Sequence, residues 1–189
     1  MKKAIVKMKL TSRADFISTL EEINFKFSEP YWQHDRIFVP RGYDRDKSLP
    51  RLCLRTIVKN PNKDATYALV LRRHYAEKGI DVVNAISFKD YTEAAHILYQ
   101  LGYSLKAEVA RRREELDMGN TIKIFIDKID NIPGYFAKIE SDLADGDDPV
   151  AAREDLIETF RVLNVKKGDP IDKTYGEIVN SSLHATVAG

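Results

Sequence analysis

The feature that most constrains this chain is a repeated alternation of period two in which one face of a strand-like segment is apolar and the other carries lysine or arginine. In residues 3–10, Ala4, Val6, Met8 and Leu10 share one face, and Ile5, Lys7 and Lys9 share the other. Such alternation predicts a strand with one face packed and one wet. The pattern recurs. In 51–58, Arg51, Cys53 and Arg55 lie on one face; in 107–116, Arg111 and Arg113; in 121–127, Lys123 and Asp127; in 134–141, Lys138 and Glu140. Segments 35–40, 65–73 and 81–88 are also strand-like, and 65–73 ends in Arg72 and Arg73, which point to opposite faces.

Helices interrupt these strands at few places. Ser12 is placed to cap a helix, with Asp15 completing a capping-box-like pair and Phe16, Ile17, Leu20 and Ile23 forming its stripe up to a stop at Asn24. A second helix is expected over 89–101, with Gly102 just beyond its end. Asp148-Pro149 opens a third, to about 163. A short one follows over Thr174–Val179, and the tail from about 180 to 189 is expected to fray. The order strand, helix, charged strand occurs near the start and again from residue 81, a hint of pseudo-twofold architecture. About eight strands with local connections predict a single α+β domain over 1–189. Its antiparallel sheet is expected to close into a tunnel-like barrel with helices outside.

Formal net charge is +1, so nothing global draws the chain to nucleic acid or a membrane, and any basic site must be local. The one cysteine, Cys53, cannot form an internal disulfide and fits a reducing, cytoplasmic setting. No run approaches the ~20 apolar residues of a membrane span. A homodimer is compatible with the sequence.

The charged faces have two readings. In a closed sheet they converge inward as a strongly positive interior; in an open sheet they are a solvated exterior. An enclosed cationic surface is costly to dehydrate unless an anion neutralises it. Arginine forks and lysine ammoniums match phosphate oxygens, so the partner of the closed form is a phosphorylated small molecule or polyphosphate. Other features are weaker. His34, His74, His96 and His184 have no metal-ligand spacing, Trp32 reads as an edge-of-core residue, and Asp142, Asp145, Asp147 and Asp148 read as a solvated turn before a helix.

In order and spacing, the pieces resemble the CYTH superfamily, the triphosphate tunnel metalloenzymes that include class IV adenylyl cyclases, thiamine triphosphatases and inorganic triphosphatases. Ile5-Val6-Lys7-Met8-Lys9 stands where that family has Glu-x-Glu-x-Lys. Gln33-His34-Asp35-Arg36-Ile37-Phe38, Cys53-Leu54-Arg55, Arg72, Arg111-Arg112-Arg113, Asp127 through Glu140, and Thr174-Tyr175-Gly176-Glu177-Ile178 follow in register with later family motifs. The resemblance spans Ile5 to about Val179. It implies a phosphate-binding set of Lys7, Lys9, Arg55, Arg72, Arg111, Arg113 and Lys138, with Asp127 and Glu140 supporting them or holding a residual metal.

The departures carry as much as the matches. The family's first-strand glutamates, which hold its divalent metal, are Ile5 and Lys7 here, and a late metal-side glutamate is Lys138. Hard cations need oxygen ligands, and ammoniums repel them. The resemblance therefore implies a tunnel that holds a triphosphate-bearing ligand with weak or no metal-dependent catalysis, Lys7 and Lys138 standing in for the metal. Two alternatives stay open: an active adenylate cyclase or triphosphatase using Mg²⁺ or Mn²⁺, with Glu115 as a further carboxylate, and an interaction module with no ligand.

Overall fold

The computed structural model describes every residue except 45, 47, 61–63, 76–79, 120, 164–169, 188 and 189. In chain order the elements are β1 (Lys2–Leu10), α1 (Arg13–Glu22), β2 (Tyr31–Val39), β3 (Arg51–Val58), β4 (Thr66–Tyr75), β5 (Ile80–Phe88), α2 (Tyr91–Gln100), β6 (Ser104–Gly119), β7 (Ile122–Ile129), β8 (Tyr135–Leu143), α3 (Pro149–Val162) and α4 (Tyr175–Val187). The strands form a closed antiparallel barrel in the order β1-β5-β4-β3-β2-β6-β7-β8. Exchanging each strand with the one four places later returns the same ring read backwards. The sequence hint of a repeat is thus a two-fold relation between β1-α1-β2-β3-β4 and β5-α2-β6-β7-β8.

The helices begin and end where their residues dictate. The Ser12 side chain accepts the Asp15 amide, and Asp90 and Asp148 cap α2 and α3 in the same way. Asn24 and Gly102 follow α1 and α2 with positive φ, 64° and 81°, the left-handed turn that lets the chain leave a helix. Trp32 is exposed on β2 and is not an edge of the core; its neighbour Tyr31 is the buried aromatic. The helix expected over 174–179 runs on to Val187.

The apolar faces point outward from the barrel and are covered. Ala4, Val6, Met8 and Leu10 of β1 pack with Ile124, Ile126 and Ile139 against Phe16 and Leu20 of α1 and Leu156 and Phe160 of α3. Phe38 and Leu54 meet Ala95 and Leu98 of α2. Burying such side chains stabilises by about 1.5–3 kcal/mol each. It also fixes register, because a one-residue slip would turn the lysines outward and the leucines inward.

The barrel wall is uneven. β1 pairs with β8 along its whole length, from Lys2↔Leu143 to Leu10↔Tyr135, but with β5 only over Lys2–Ala4. Beyond Ala4 the free edge of β1 receives the segment before α4, through the Ile171 amide donating to the Lys7 carbonyl at 2.8 Å. The start of α4 then enters the barrel end, where Tyr175 and Ile178 pack on Val109, Ile129 and Phe136. Gly176 permits this approach: a Cβ there would lie 3.0 Å from Ala107 and 3.1 Å from Ile37.

Candidate functional site: a cationic barrel interior

Because the apolar faces pack outward, the charged faces are enclosed. They surround a cavity of about 680 Å³ lined by, among others, Lys7, Asp35, Arg51, Cys53, Arg55, Arg72, Arg111, Arg113, Lys138 and Tyr175. Of the residues expected from sequence to meet there, Lys7, Arg55, Arg72, Arg111, Arg113 and Lys138 line this cavity together. Asp127 and Glu140 lie buried in its wall. Lys9 does not line it: it is exposed near the end of β1, with its side chain over Gly134. Glu115 pairs with Lys123 and accepts from Tyr31 rather than facing the cavity.

One wall is an ionic network in which, among the buried guanidinium and carboxylate atoms of its described residues, only Arg111 Nε lacks a hydrogen-bond partner. Asp35 accepts from Arg55 at 2.8 and 3.1 Å, from Arg111 at 2.6 Å and from the Gln33 amide at 3.0 Å. Asp127 accepts the Arg113 fork at 2.7 Å on both oxygens and the Tyr175 hydroxyl at 2.8 Å. Burial alone would raise the pKa of each carboxyl. The guanidiniums outweigh it, holding Asp35 well below the usual carboxylate range and Asp127 at about 2. Burial pushes the Cys53 thiol up to about 12, so it is no thiolate nucleophile at neutral pH.

The opposite wall differs. Lys7 and Lys138 are direct partners in the β1/β8 register and therefore emerge on the same face. Like charges so placed destabilise a sheet. Lys138 donates to Glu140, and its ammonium and the Arg113 guanidinium each lie 4.5 Å from the Phe125 ring centre. Glu140 also pairs with Lys3 at 3.2 Å. Lys7 has no carboxylate within ion-pair distance among the described residues; it donates to the Lys173 carbonyl. Burial, with the nearby charge of Arg72, lowers its pKa to about 8. Burial, then the charges of Arg113 and Arg72, also lowers that of Lys138 against the pull of Glu140. The interior cations thus exceed the interior carboxylates, with the excess on the side of Lys7, Arg51, Arg72 and Lys138.

The carboxylates do not fit a divalent metal. Asp35, Asp127 and Glu140 each have their oxygens engaged by cationic side chains. Among the described residues no group of three or more His, Cys, Asp or Glu side chains is placed to hold one. Sequence reasoning did not single out Tyr175, Asp81 or the network role of Asp35. Tyr175 meets Asp127 only through long-range folding, and Asp81 meets His74 and Arg72 through the β4/β5 register, which alternation alone does not set. For Asp35 the signal was there, an acid on a strand face two residues from Gln33 with basic strands on either side.

Comparison with known proteins agrees with this architecture. The CYTH domain family model matches residues 1–175. The "Putative adenylate cyclase MJ0240" of Methanocaldococcus jannaschii is 24% identical over 181 residues, covering 92% of this chain and 95% of that protein. A Vibrio parahaemolyticus structure, likewise described as a putative adenylate cyclase, superposes with a TM-score of 0.77 at 18% identity, over 94% of this chain and 97% of that one. HpAC1 of Hippeastrum, described as a putative adenylyl cyclase with a dominant triphosphatase activity, superposes with a TM-score of 0.61 at 12% identity, over 96% of each chain. At these identities the structures speak for the shared fold.

Proposed function

The chain belongs to the CYTH domain family, and from that premise we propose that its barrel binds a triphosphate-bearing ligand, a nucleotide or a polyphosphate, through side-chain cations rather than through a divalent metal. The phosphate-binding set is Lys7, Arg55, Arg72, Arg111, Arg113 and Lys138. Asp127 and Glu140 orient the basic groups. The observation that carries this reading is the Lys7–Lys138 pair, register partners that face the interior where carboxylates would hold a metal. Two ammoniums add charge that an anion neutralises directly. Arginine forks beside them supply bidentate donors for phosphate oxygens.

The test is thermal stability with tripolyphosphate, ATP and thiamine triphosphate, each with Mg²⁺ and with chelator. A ligand at about 100 times its dissociation constant adds about 2.7 kcal/mol of stability. The expected outcome is a rise in Tm that survives chelation. A rise only with Mg²⁺ would move the reading to a metal-dependent cyclase or triphosphatase. No rise with any of the three would leave the interaction module.

A further inference from the structure

We propose that His74, oriented by Asp81, is the proton-accepting base of a metal-free transfer of a terminal phosphoryl group to water, at the seam where β5 meets β1. This rests on the binding reading above and assigns chemistry to it.

His74 and Asp81 are direct partners across β4 and β5, and the imidazole Nδ1 lies 2.9 Å from one Asp81 oxygen. The other Asp81 oxygen lies 3.6 Å from the Arg72 guanidinium. One carboxylate thus holds an imidazole and a phosphate-binding arginine side by side, and all three line the cavity with Lys7. Burial would raise the pKa of Asp81, but the hydrogen bond to His74 and the charges of Arg72 and Arg51 outweigh it and lower it. An ionised carboxylate only accepts, so a neutral imidazole beside it carries its proton on Nδ1. That leaves the Nε2 lone pair free, and Nε2 has no hydrogen-bond partner among the described residues. A nitrogen base fixed by a second group, next to cations that grip the reacting anion, is the arrangement general-base catalysis requires.

The position also suits water. β1 and β5 pair only over Lys2–Ala4, so the wall is short beside Asp81, and the His74 side chain is 47% exposed while that of Asp81 is 12% exposed. His34 has a carboxylate neighbour too, Glu108 at 3.7 Å, but it does not line the cavity. In the reaction, a water oxygen attacks the terminal phosphorus and its proton passes to Nε2. The bond from that phosphorus to the bridging oxygen breaks. The bridging oxygen leaves with the electron pair, its charge met by Arg72 and Lys7. The products are orthophosphate and a polyphosphate one unit shorter, and the imidazolium returns its proton to solvent. No oxidant, reductant or further reactant is needed.

The experiment measures orthophosphate release from tripolyphosphate in excess chelator, beside calorimetric binding of the same tripolyphosphate. The wild type is expected to release orthophosphate in the presence of chelator. His74→Gln is expected to lose about 10²–10⁴-fold in kcat, the span of general acid–base catalysis, and to regain activity with added imidazole while its binding is unchanged. Asp81→Asn lowers kcat by misorienting the ring, with tripolyphosphate binding retained. Equal release from His74→Gln, or a wild type that binds tripolyphosphate without chelator-resistant release, would overturn the base and leave the binding reading standing. A wild type that does not bind tripolyphosphate overturns both.

Discussion

The two walls of the barrel interior carry similar residues and do different things. On the β2, β3, β6 and β7 side, Arg55, Arg111 and Arg113 are tied to Asp35 and Asp127 through short, mostly two-pronged hydrogen bonds. On the β1, β4, β5 and β8 side, Lys7 faces the cavity with a backbone carbonyl as its partner, Lys138 shares Glu140 with Lys3, and Arg72 reaches Asp81 only at 3.6 Å. Positive charge alone therefore does not mark a binding surface. Arginines already paired with a carboxylate are held in place and can offer only their remaining N–H groups to a phosphate, whereas unpaired charge is what an anion neutralises. The cations separate the walls in the same sense: against burial, Asp35 and Asp127 raise the pKa of Arg55 and Arg113, whereas burial pulls Lys7 down to about 8.

The largest effect should come from breaking the networked wall. Asp127→Asn keeps the volume but strands the buried Arg113 guanidinium, and breaking a buried pair on one side costs about 3–5 kcal/mol. Chemical denaturation should show that loss without any ligand. The same wall should fail in acid. The Asp127 carboxyl is depressed from 3.8 to about 2, so its contribution is present above pH 3.8 and is lost as pH falls through about 2.

A smaller, opposite effect should come from the cationic wall. Lys7→Met removes a partly dehydrated ammonium that lacks a carboxylate partner. Stability without ligand should hold or rise, while tripolyphosphate affinity falls about tenfold, or about 1.4 kcal/mol. If Lys7→Met instead unfolds the protein as Asp127→Asn does, the distinction between the walls collapses. The pH dependence sharpens it. Because the folded pKa of Lys7, about 8, lies below its ordinary 10.5, this group favours the folded state increasingly as pH rises from about 8 to 10.5. Ligand affinity should move the other way, weakening above about pH 8 as the ammonium loses its proton. Calorimetry in buffers of different ionisation enthalpy should detect proton uptake on binding near pH 8.

The smallest effect belongs to Lys9. It is exposed and outside the cavity. Lys9→Ala should leave the tripolyphosphate dissociation constant within about twofold, as expected for a solvated charge. A loss comparable to that of Lys7→Met would mean that the cationic surface extends around the barrel end.

Much of the frame could be read from the chain before folding. The period-two faces of β1 and β6, the caps at Ser12 and Asp148, and the turn at Gly102 are local, set by backbone geometry and by which side chains sit two or three residues apart. The inward turn of the basic faces follows once the sheet closes, because the apolar faces of the same strands must be covered by helices. Lys9 shares its parity with Lys7, yet the barrel end leaves it outside, a matter of level along the strand that alternation does not encode.

The sequence by itself determined the strands, their two faces and which face carries charge, because each depends on neighbours along the chain. Tertiary structure decided which charges cancel. Arg111 meets Asp35 from 76 residues away and Tyr175 meets Asp127 from 48, so neutralisation depends on strand order and register. Pairing of the neighbouring strands β4 and β5 sets Asp81 between His74 and Arg72, while barrel closure leaves Lys7 facing the cavity with no carboxylate at ion-pair distance among the described residues, because Coulomb energy falls with distance in space and is indifferent to distance along the chain.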